Sequence, residues 1–74
     1  MLERILNLIL GYVDVHKESF NEDTNIFDLG MDSLGMLKLI MEIEDIYNIK
    51  LDDKEIVDIR SASDIEKIIL EKIS

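Results

Sequence analysis

The stretch FDLGMDSLGMLKLIMEIEDIY, residues 27–47, decides the fold of this chain. Its apolar residues recur three and four positions apart, which is the spacing of one face of an α-helix. Gly30 permits a sharp turn just before this pattern, and a polar residue, Asp32 or Ser33, stands where a helix would begin. The stretch predicts a helix over residues 33–47 with an apolar face made of Leu34, Leu37, Ile40, Met41, Ile43 and Tyr47.

The same spacing occurs near both ends of the chain. At the start it predicts a helix whose apolar face consists of Leu2, Ile5, Leu6, Ile9 and Val13. Near the C-terminus it predicts a helix that buries Ile65, Ile68, Ile69 and Ile73. Ser61 or Ser63 can cap this last helix, and Glu66 lies where it would complete a capping box with Ser63.

A shorter helix is predicted over residues 53–59, capped by Asp52 with Glu55 three residues later. Isoleucine is frequent, but apolar and polar residues do not alternate with the period of a strand. We therefore predict an all-α four-helix bundle with three long helices and one short one.

Residues 15–32 form an unusually long connection between the first two helices of this bundle. A fully solvated loop would leave its large apolar side chains in water, so we predict that it packs across the bundle. The expected anchors are Phe20, Ile26, Phe27 and Leu29.

Composition limits the classes of function. With 74 residues and no Pro-rich or low-complexity linker, residues 1–74 are expected to form a single domain, and we expect a monomer. Seventeen acidic and eight basic side chains give a net charge of −9, which disfavours nucleic acid and favours partners with basic surfaces. No apolar run approaches the ~20 residues that span a bilayer, and MLERILNLIL lacks the features of a signal peptide. We expect no membrane insertion and a cytoplasmic location.

Ser33 does not fit a hydrolase nucleophile. The nucleophile elbow needs glycine two residues before the serine, whereas Gly30 lies three before Ser33. His16 is the sole histidine, and nothing in the sequence marks a residue that would orient it as a base. We expect no catalytic residues, so the chain is not expected to be an enzyme.

The residues before Ser33 partly match a calcium-binding loop. Asn21, Asp23 and Asn25 take the first, third and fifth positions of an EF-hand-like loop. Ile26 stands where that loop needs glycine, and Asp32 stands where a bidentate glutamate is wanted. A solvated acidic loop fits better, and no metal site is predicted.

Two roles remain for Ser33. It can be the N-cap of its helix, as serine often is. It can also carry a phosphodiester, whose negative charge would lie at the positive end of the helix dipole.

The stretch DLGMDSLGMLKLIMEIEDIYNIKL, residues 28–51, resembles the modification motif of acyl carrier proteins and related thiolation domains. The resemblance extends over nearly the whole chain, from the first amphipathic helix to SASDIEKII in the last one. It implies that a separate phosphopantetheinyl transferase attaches 4′-phosphopantetheine from coenzyme A to Ser33, with Asp32 assisting. The arm would then hold acyl or aminoacyl groups as thioesters and present them to loading ligases and synthase enzymes.

The resemblance also implies a partner-contact surface on the second helix, made of Leu34, Leu37, Lys38, Met41, Glu44 and Asp45. Periodicity alone leaves Leu37 equally consistent with the core. Gly35 and Lys38 depart from fatty-acid carriers, which usually have acidic residues at both positions. These departures favour a specialised acyl or aminoacyl carrier, and the pathway stays open between fatty-acid, polyketide and nonribosomal-peptide biosynthesis. An unmodified acidic helical module that regulates a basic enzyme is the alternative function.

Overall fold

Four α-helices make up the fold, in a computed structural model that describes residues 1–73. They are α1 (Leu2–Leu10), α2 (Ser33–Tyr47), α3 (Asp53–Val57) and α4 (Ala62–Ile73). No strand occurs within residues 1–73, and no helix there is long and apolar enough to cross a membrane. The predicted bundle of three long helices and one short helix is confirmed.

Two helices end earlier than the apolar spacing predicts. At the end of α1, Gly11 and Tyr12 form a turn in which their N–H groups donate to Leu8 O and Ile9 O at 3.0 and 2.9 Å. Val13 therefore lies beyond the helix, although it still packs against the core. Helix α3 stops at Val57, and Ile59, predicted as its last residue, is buried in the connection that follows.

The predicted N-cap of α3 is confirmed, and of the two serines predicted as possible caps of α4, the structure shows Ser61 in that role. Asp52 and Glu55 form the reciprocal capping box, with N–H to carboxylate distances of 2.9 and 3.0 Å. At the start of α4, Asp64 N–H donates to Ser61 Oγ at 3.2 Å, and Ser61 N–H donates back to Asp64 Oδ2 at 3.1 Å. The Ser63–Glu66 box is wrong, because Ser63 already lies inside the helix.

The core is a single cluster of residues from three helices and from the connections between the helices. Helices α1, α2 and α4 supply most of it, the connection before α2 adds Ile26 and Met31, and the connection before α4 adds Ile59. Its buried apolar residues are Ile5, Ile9, Ile26, Met31, Met36, Leu39, Ile40, Ile43, Ile59, Ala62, Ile65 and Ile69. Truncating any one of the buried isoleucines to alanine would cost about 2–5 kcal/mol.

Helix α2 buries a different face from the one predicted. Ile40 and Ile43 are buried as expected, but Met36 and Leu39 join them. Leu34, Leu37 and Met41, which belong to the predicted apolar face and to the predicted partner-contact surface, are 59%, 46% and 56% exposed. Leu37 therefore belongs to the surface, and α2 presents an apolar stripe to solvent.

The connection between α1 and α2 packs across the bundle as predicted, but its anchors differ. It spans residues 11–32 and contains two 3₁₀ segments, Lys17–Ser19 and Ile26–Leu29. Ile26 is fully buried and its N–H donates to Arg60 O at 2.7 Å. Phe20 and Leu29 pack against the core, whereas Phe27 is 37% exposed and is not a core anchor.

A second link joins α1 to the middle of α2. The Tyr12 hydroxyl donates to Glu42 Oε1 at 2.6 Å, thirty residues along the chain. This hydrogen bond to a carboxylate is the main reason that the pKa of Tyr12 is raised above its ordinary value. The bond thus fixes the turn after α1 against α2.

Glu55 gives the first prediction, because its carboxylate joins α3 to α4. It accepts the Asp52 N–H and pairs with Lys72 Nζ at 2.9 Å, and these two contacts, the first being larger, lower the pKa of Glu55. A lowered pKa means that the stabilisation is present above the ordinary value of 4.5 and is lost as pH falls through the folded-state pKa. Glu55→Gln should therefore be less stable than the parent at pH 7 and should match it in acid.

Urea unfolding at several pH values measures this difference. Glu18→Gln, an exposed position on the first 3₁₀ segment, is the matched control and should show no such dependence. An equal loss of stability for Glu55→Gln at neutral and acidic pH would contradict the electrostatic explanation.

Candidate functional site

Ser33 is the first residue of α2, and Asp32, not Ser33, is the N-cap. Asp32 Oδ1 accepts the Gly35 N–H at 2.6 Å, and Asp32 O accepts the Met36 N–H at 2.9 Å. The capping interpretation of Ser33 is therefore wrong. Its side chain is exposed and has no hydrogen-bond partner within residues 1–73, so the hydroxyl is available for other chemistry.

The turn that leads to Ser33 is built by local hydrogen bonds. Asn25 Oδ1 accepts the Phe27 N–H at 2.9 Å and starts the second 3₁₀ segment. Gly30 then adopts a φ of 101°, the left-handed conformation that glycine adopts without strain, while its N–H donates to Phe27 O at 3.1 Å. The chain enters Asp32 in an extended conformation and turns directly into α2.

The polar residues earlier in this loop shape turns. Asn21 Oδ1 accepts the Asp23 N–H at 2.8 Å, and Thr24 Oγ1 accepts the Asn21 N–H at 3.0 Å. Within residues 1–73 no group of three or more histidine, aspartate or glutamate side chains is placed to hold a metal ion. The side chains of Asn21 and Asn25 therefore shape turns, whereas Asp23 takes part through its backbone N–H.

Gly35 lies against Met31 at the start of α2. A Cβ added at Gly35 would come within 2.8 Å of Met31 Sδ and 3.0 Å of Asp32 Oδ1. Met31 is 95% buried, so its side chain fills the space that a larger residue at position 35 would need. The absence of a side chain at Gly35 is thus tied to the size of Met31.

The backbone around Ser33 suits an attached anion. The N–H groups of Ser33 and Leu34 have no acceptor within residues 1–73, because the cap engages Gly35 and Met36. These free groups carry the positive end of the α2 dipole. A phosphodiester on the Ser33 hydroxyl would lie beside them, so the residues present fit a phosphate-linked group.

Beside Ser33 runs a groove between α2 and α3 with a volume of about 330 Å³. Its walls are mostly apolar, and Ser33 is one of the residues that form them. The residues that line it are Phe27, Ser33, Met36, Leu37, Ile56, Val57 and Arg60. The sequence analysis does not point to Arg60 or Val57, because neither residue belongs to a recognisable motif.

The predicted partner-contact residues fall into two groups. Leu34, Leu37, Lys38, Met41 and Asp45 are all exposed along α2. Glu44 is half-buried, and its Oε2 accepts the Leu51 N–H at 2.8 Å, which fastens the connection after α2 to the helix. Glu44 therefore has a structural role at this position.

Lys38 has no ionic partner on α2. Glu42, four residues on, accepts the Tyr12 hydroxyl, and Lys38 makes no ion pair within residues 1–73. Its charge is left free in the middle of the exposed face of α2.

Comparison with known proteins identifies the family of this site. The sequence profile described as "Phosphopantetheine attachment site" matches residues 3–69, which include the whole of α2. The chain belongs to the phosphopantetheine-dependent carrier family. Its members bear a covalent 4′-phosphopantetheine group, the cofactor that the motif around Ser33 predicts.

Individual relatives agree with this assignment. The acyl carrier protein of Caulobacter vibrioides is 33% identical over 73 residues, which cover 97% of this chain and 94% of the relative. A non-reducing polyketide synthase from Didymella fabae is 35% identical over 65 residues, and this chain spans only 2% of that protein. The fold matches the solved structure of the acyl carrier protein from Enterococcus faecalis with a TM-score of 0.82, 21% identity and coverage of 96% and 91% of the two chains.

The Met31–Gly35 contact predicts a coupled pair of substitutions. Gly35→Ala should destabilise the parent by about 1 kcal/mol, because overpacking outweighs the ~1 kcal/mol gained in helix propensity. Met31→Ala removes the sulfur atom that a Cβ at position 35 would meet. In that background, Gly35→Ala should leave the free energy of unfolding unchanged or increase it. Urea unfolding of the four chains gives the coupling free energy, and costs that add within about 0.5 kcal/mol would refute the contact.

Proposed function

We propose that Ser33 carries the 4′-phosphopantetheine arm and that the chain holds acyl or aminoacyl groups on it as thioesters. The supporting observation is the Ser33 hydroxyl, exposed and unbonded beside the free N–H groups of α2. In the attachment step Ser33 Oγ bonds to the phosphorus that bears pantetheine in coenzyme A, the nucleotide part leaves, and a base of the transferase takes the hydroxyl proton. The arm supplies the thiol, since the chain has no cysteine.

Apart from the bond that Ser33 Oγ forms to phosphorus, the residues of this chain only position the arm, and other enzymes carry out the chemistry of the cargo. Asp32 fixes the start of α2 through its bond to Gly35 N–H, and its exposed carboxylate is available to the metal ion and basic groups of the transferase. We infer that residues 1–74 form a carrier domain that works in the cytoplasm as a monomer, while separate enzymes supply and remove its cargo. Its cargo belongs to fatty-acid, polyketide or nonribosomal-peptide-type biosynthesis.

The exposed stripe of α2 is the surface proposed to contact those enzymes. Leu34 and Leu37 lie next to the attachment serine, and Met41 continues the stripe one turn further. Methionine adapts its shape to different surfaces, which suits a carrier that meets several enzymes. Lys38 and Asp45 add charges of opposite sign along the same helix, with Glu44 at its edge.

Modification of Ser33 gives the central prediction. Coenzyme A and a broad-specificity phosphopantetheinyl transferase should add one phosphopantetheine to the parent chain and none to Ser33→Ala. Because Asp32 is the cap, Ser33→Ala should change the free energy of unfolding by no more than about 0.5 kcal/mol. Intact mass spectrometry and urea unfolding measure the two results.

Ser61→Ala is the matched control, since that serine caps α4 and should still leave one arm on the protein. An arm that persists on Ser33→Ala would overturn the assignment. An intact mass without an arm, for protein purified from its own host and from the transferase reaction, would favour the alternative of an unmodified acidic module that regulates a basic enzyme.

Lys38 is proposed to discriminate between partner enzymes. Its unpaired positive charge should repel enzymes that bind carriers through arginine and lysine patches, as fatty-acid synthase enzymes do by the family resemblance. Lys38→Glu should therefore raise the rate of acyl loading by such enzymes, mainly through the association rate, and the gain should shrink with added salt.

The control for this change is Arg4→Glu, which alters the net charge equally but lies on α1. Association rates measured at low and moderate salt should rise for Lys38→Glu and stay near the parent value for Arg4→Glu. If both variants accelerate loading to the same degree, total charge and not the position of Lys38 is responsible.

A further inference from the structure

We propose that Arg60 is the counter-ion of the phosphodiester on Ser33 and holds the base of the arm against the groove between α2 and α3. This inference rests on the proposed attachment to Ser33 and assigns a positioning residue in a part of the chain that the modification motif does not reach. Arg60 lies in the connection between α3 and α4, twenty-seven residues beyond Ser33, and both residues line the same groove.

The backbone of Arg60 is fixed on both sides. Its carbonyl accepts the Ile26 N–H at 2.7 Å, and its own N–H donates to Asp64 Oδ2 at 2.9 Å. The preceding residue, Ile59, is buried in the core. The side chain of Arg60 therefore starts from a defined point at the edge of the groove.

One nitrogen of the Arg60 guanidinium is hydrogen-bonded to the backbone. Nη1 donates to Val57 O at 2.6 Å and to Ile59 O at 2.9 Å. The N–H groups of Nε and Nη2 have no acceptor within residues 1–73, and no carboxylate there pairs with Arg60, although the chain has seventeen. An oriented cation with unused donors is thus available on the side of the molecule where Ser33 lies.

The charges of the groove favour a phosphate at this place. Seven residues line the groove, and Arg60 is the only charged one among them. Apart from Ser33, the other lining side chains are apolar. Arginine binds phosphate oxygens through paired N–H donors, and this geometry is stronger than a contact with lysine. Under this proposal the phosphodiester on Ser33 contacts both the free N–H groups at the start of α2 and the guanidinium of Arg60.

Nuclear magnetic resonance of the chain with and without its arm tests this contact directly. On addition of the arm, the side-chain Nε–H resonance of Arg60 should shift, while that of Arg4 on α1 should stay in place. The phosphorus resonance of the modified chain should differ between the parent and Arg60→Gln, and the difference should diminish as salt is added.

Two further variants separate the contact from folding. Arg4→Gln removes one positive charge elsewhere and should leave the phosphorus resonance unchanged, while Arg60→Lys keeps the charge without the paired donors and should give an intermediate shift. The backbone amide spectrum of unmodified Arg60→Gln should stay that of the folded parent outside residues 57–61.

The outcomes distinguish the two levels of the proposal. If the parent gains no arm by intact mass, the proposed function fails and the role of Arg60 fails with it. If the arm is present and neither the Arg60 Nε–H nor the phosphorus resonance responds, the role of Arg60 is overturned and the attachment at Ser33 stands.

Discussion

One hydrogen bond, from Ile26 N–H to Arg60 O, joins the two parts of the chain on which the site depends. Ile26 is buried, so this bond lies where water cannot easily replace it. On one side it fixes the loop that leads through Gly30 and Asp32 to Ser33. On the other side it fixes the connection that carries Arg60. Together with the bond from Ser63 N–H to Glu22 O at 2.9 Å, it holds the loop before Ser33 against the segment that carries Arg60.

The site then follows from how α2 begins. Asp32 takes the capping role, so Ser33 keeps its hydroxyl free at the first position of the helix. Met31 fills the space beside Gly35, which keeps the first turn of α2 closely packed. A carrier needs an attachment point that is exposed yet rigid, and separating the capping residue from the modified residue meets both needs.

Local signals in the sequence were enough to predict the bounds of α2, the Asp52–Glu55 cap and the turn at Gly30, because each depends on residues within one helical turn. The sequence does not predict the buried face of α2, since apolar residues occur on most sides of that helix, and both Met36, which is buried, and Leu37, which is exposed, are apolar. Only packing against α1 and α4 decides between them. Arg60 was missed for a related reason, since its importance comes from long-range contacts with Ile26 and Asp64.

The bond between Tyr12 and Glu42 also gives the protein an internal optical reporter. The chain has no tryptophan and two tyrosines, so its intrinsic ultraviolet fluorescence comes from tyrosine alone. A phenol that donates to a carboxylate emits weakly, because the excited hydroxyl readily loses its proton to that acceptor. Separation of the turn after α1 from α2 would break this bond and brighten Tyr12. Movements of the bundle during contact with another protein can thus be followed without attaching a dye.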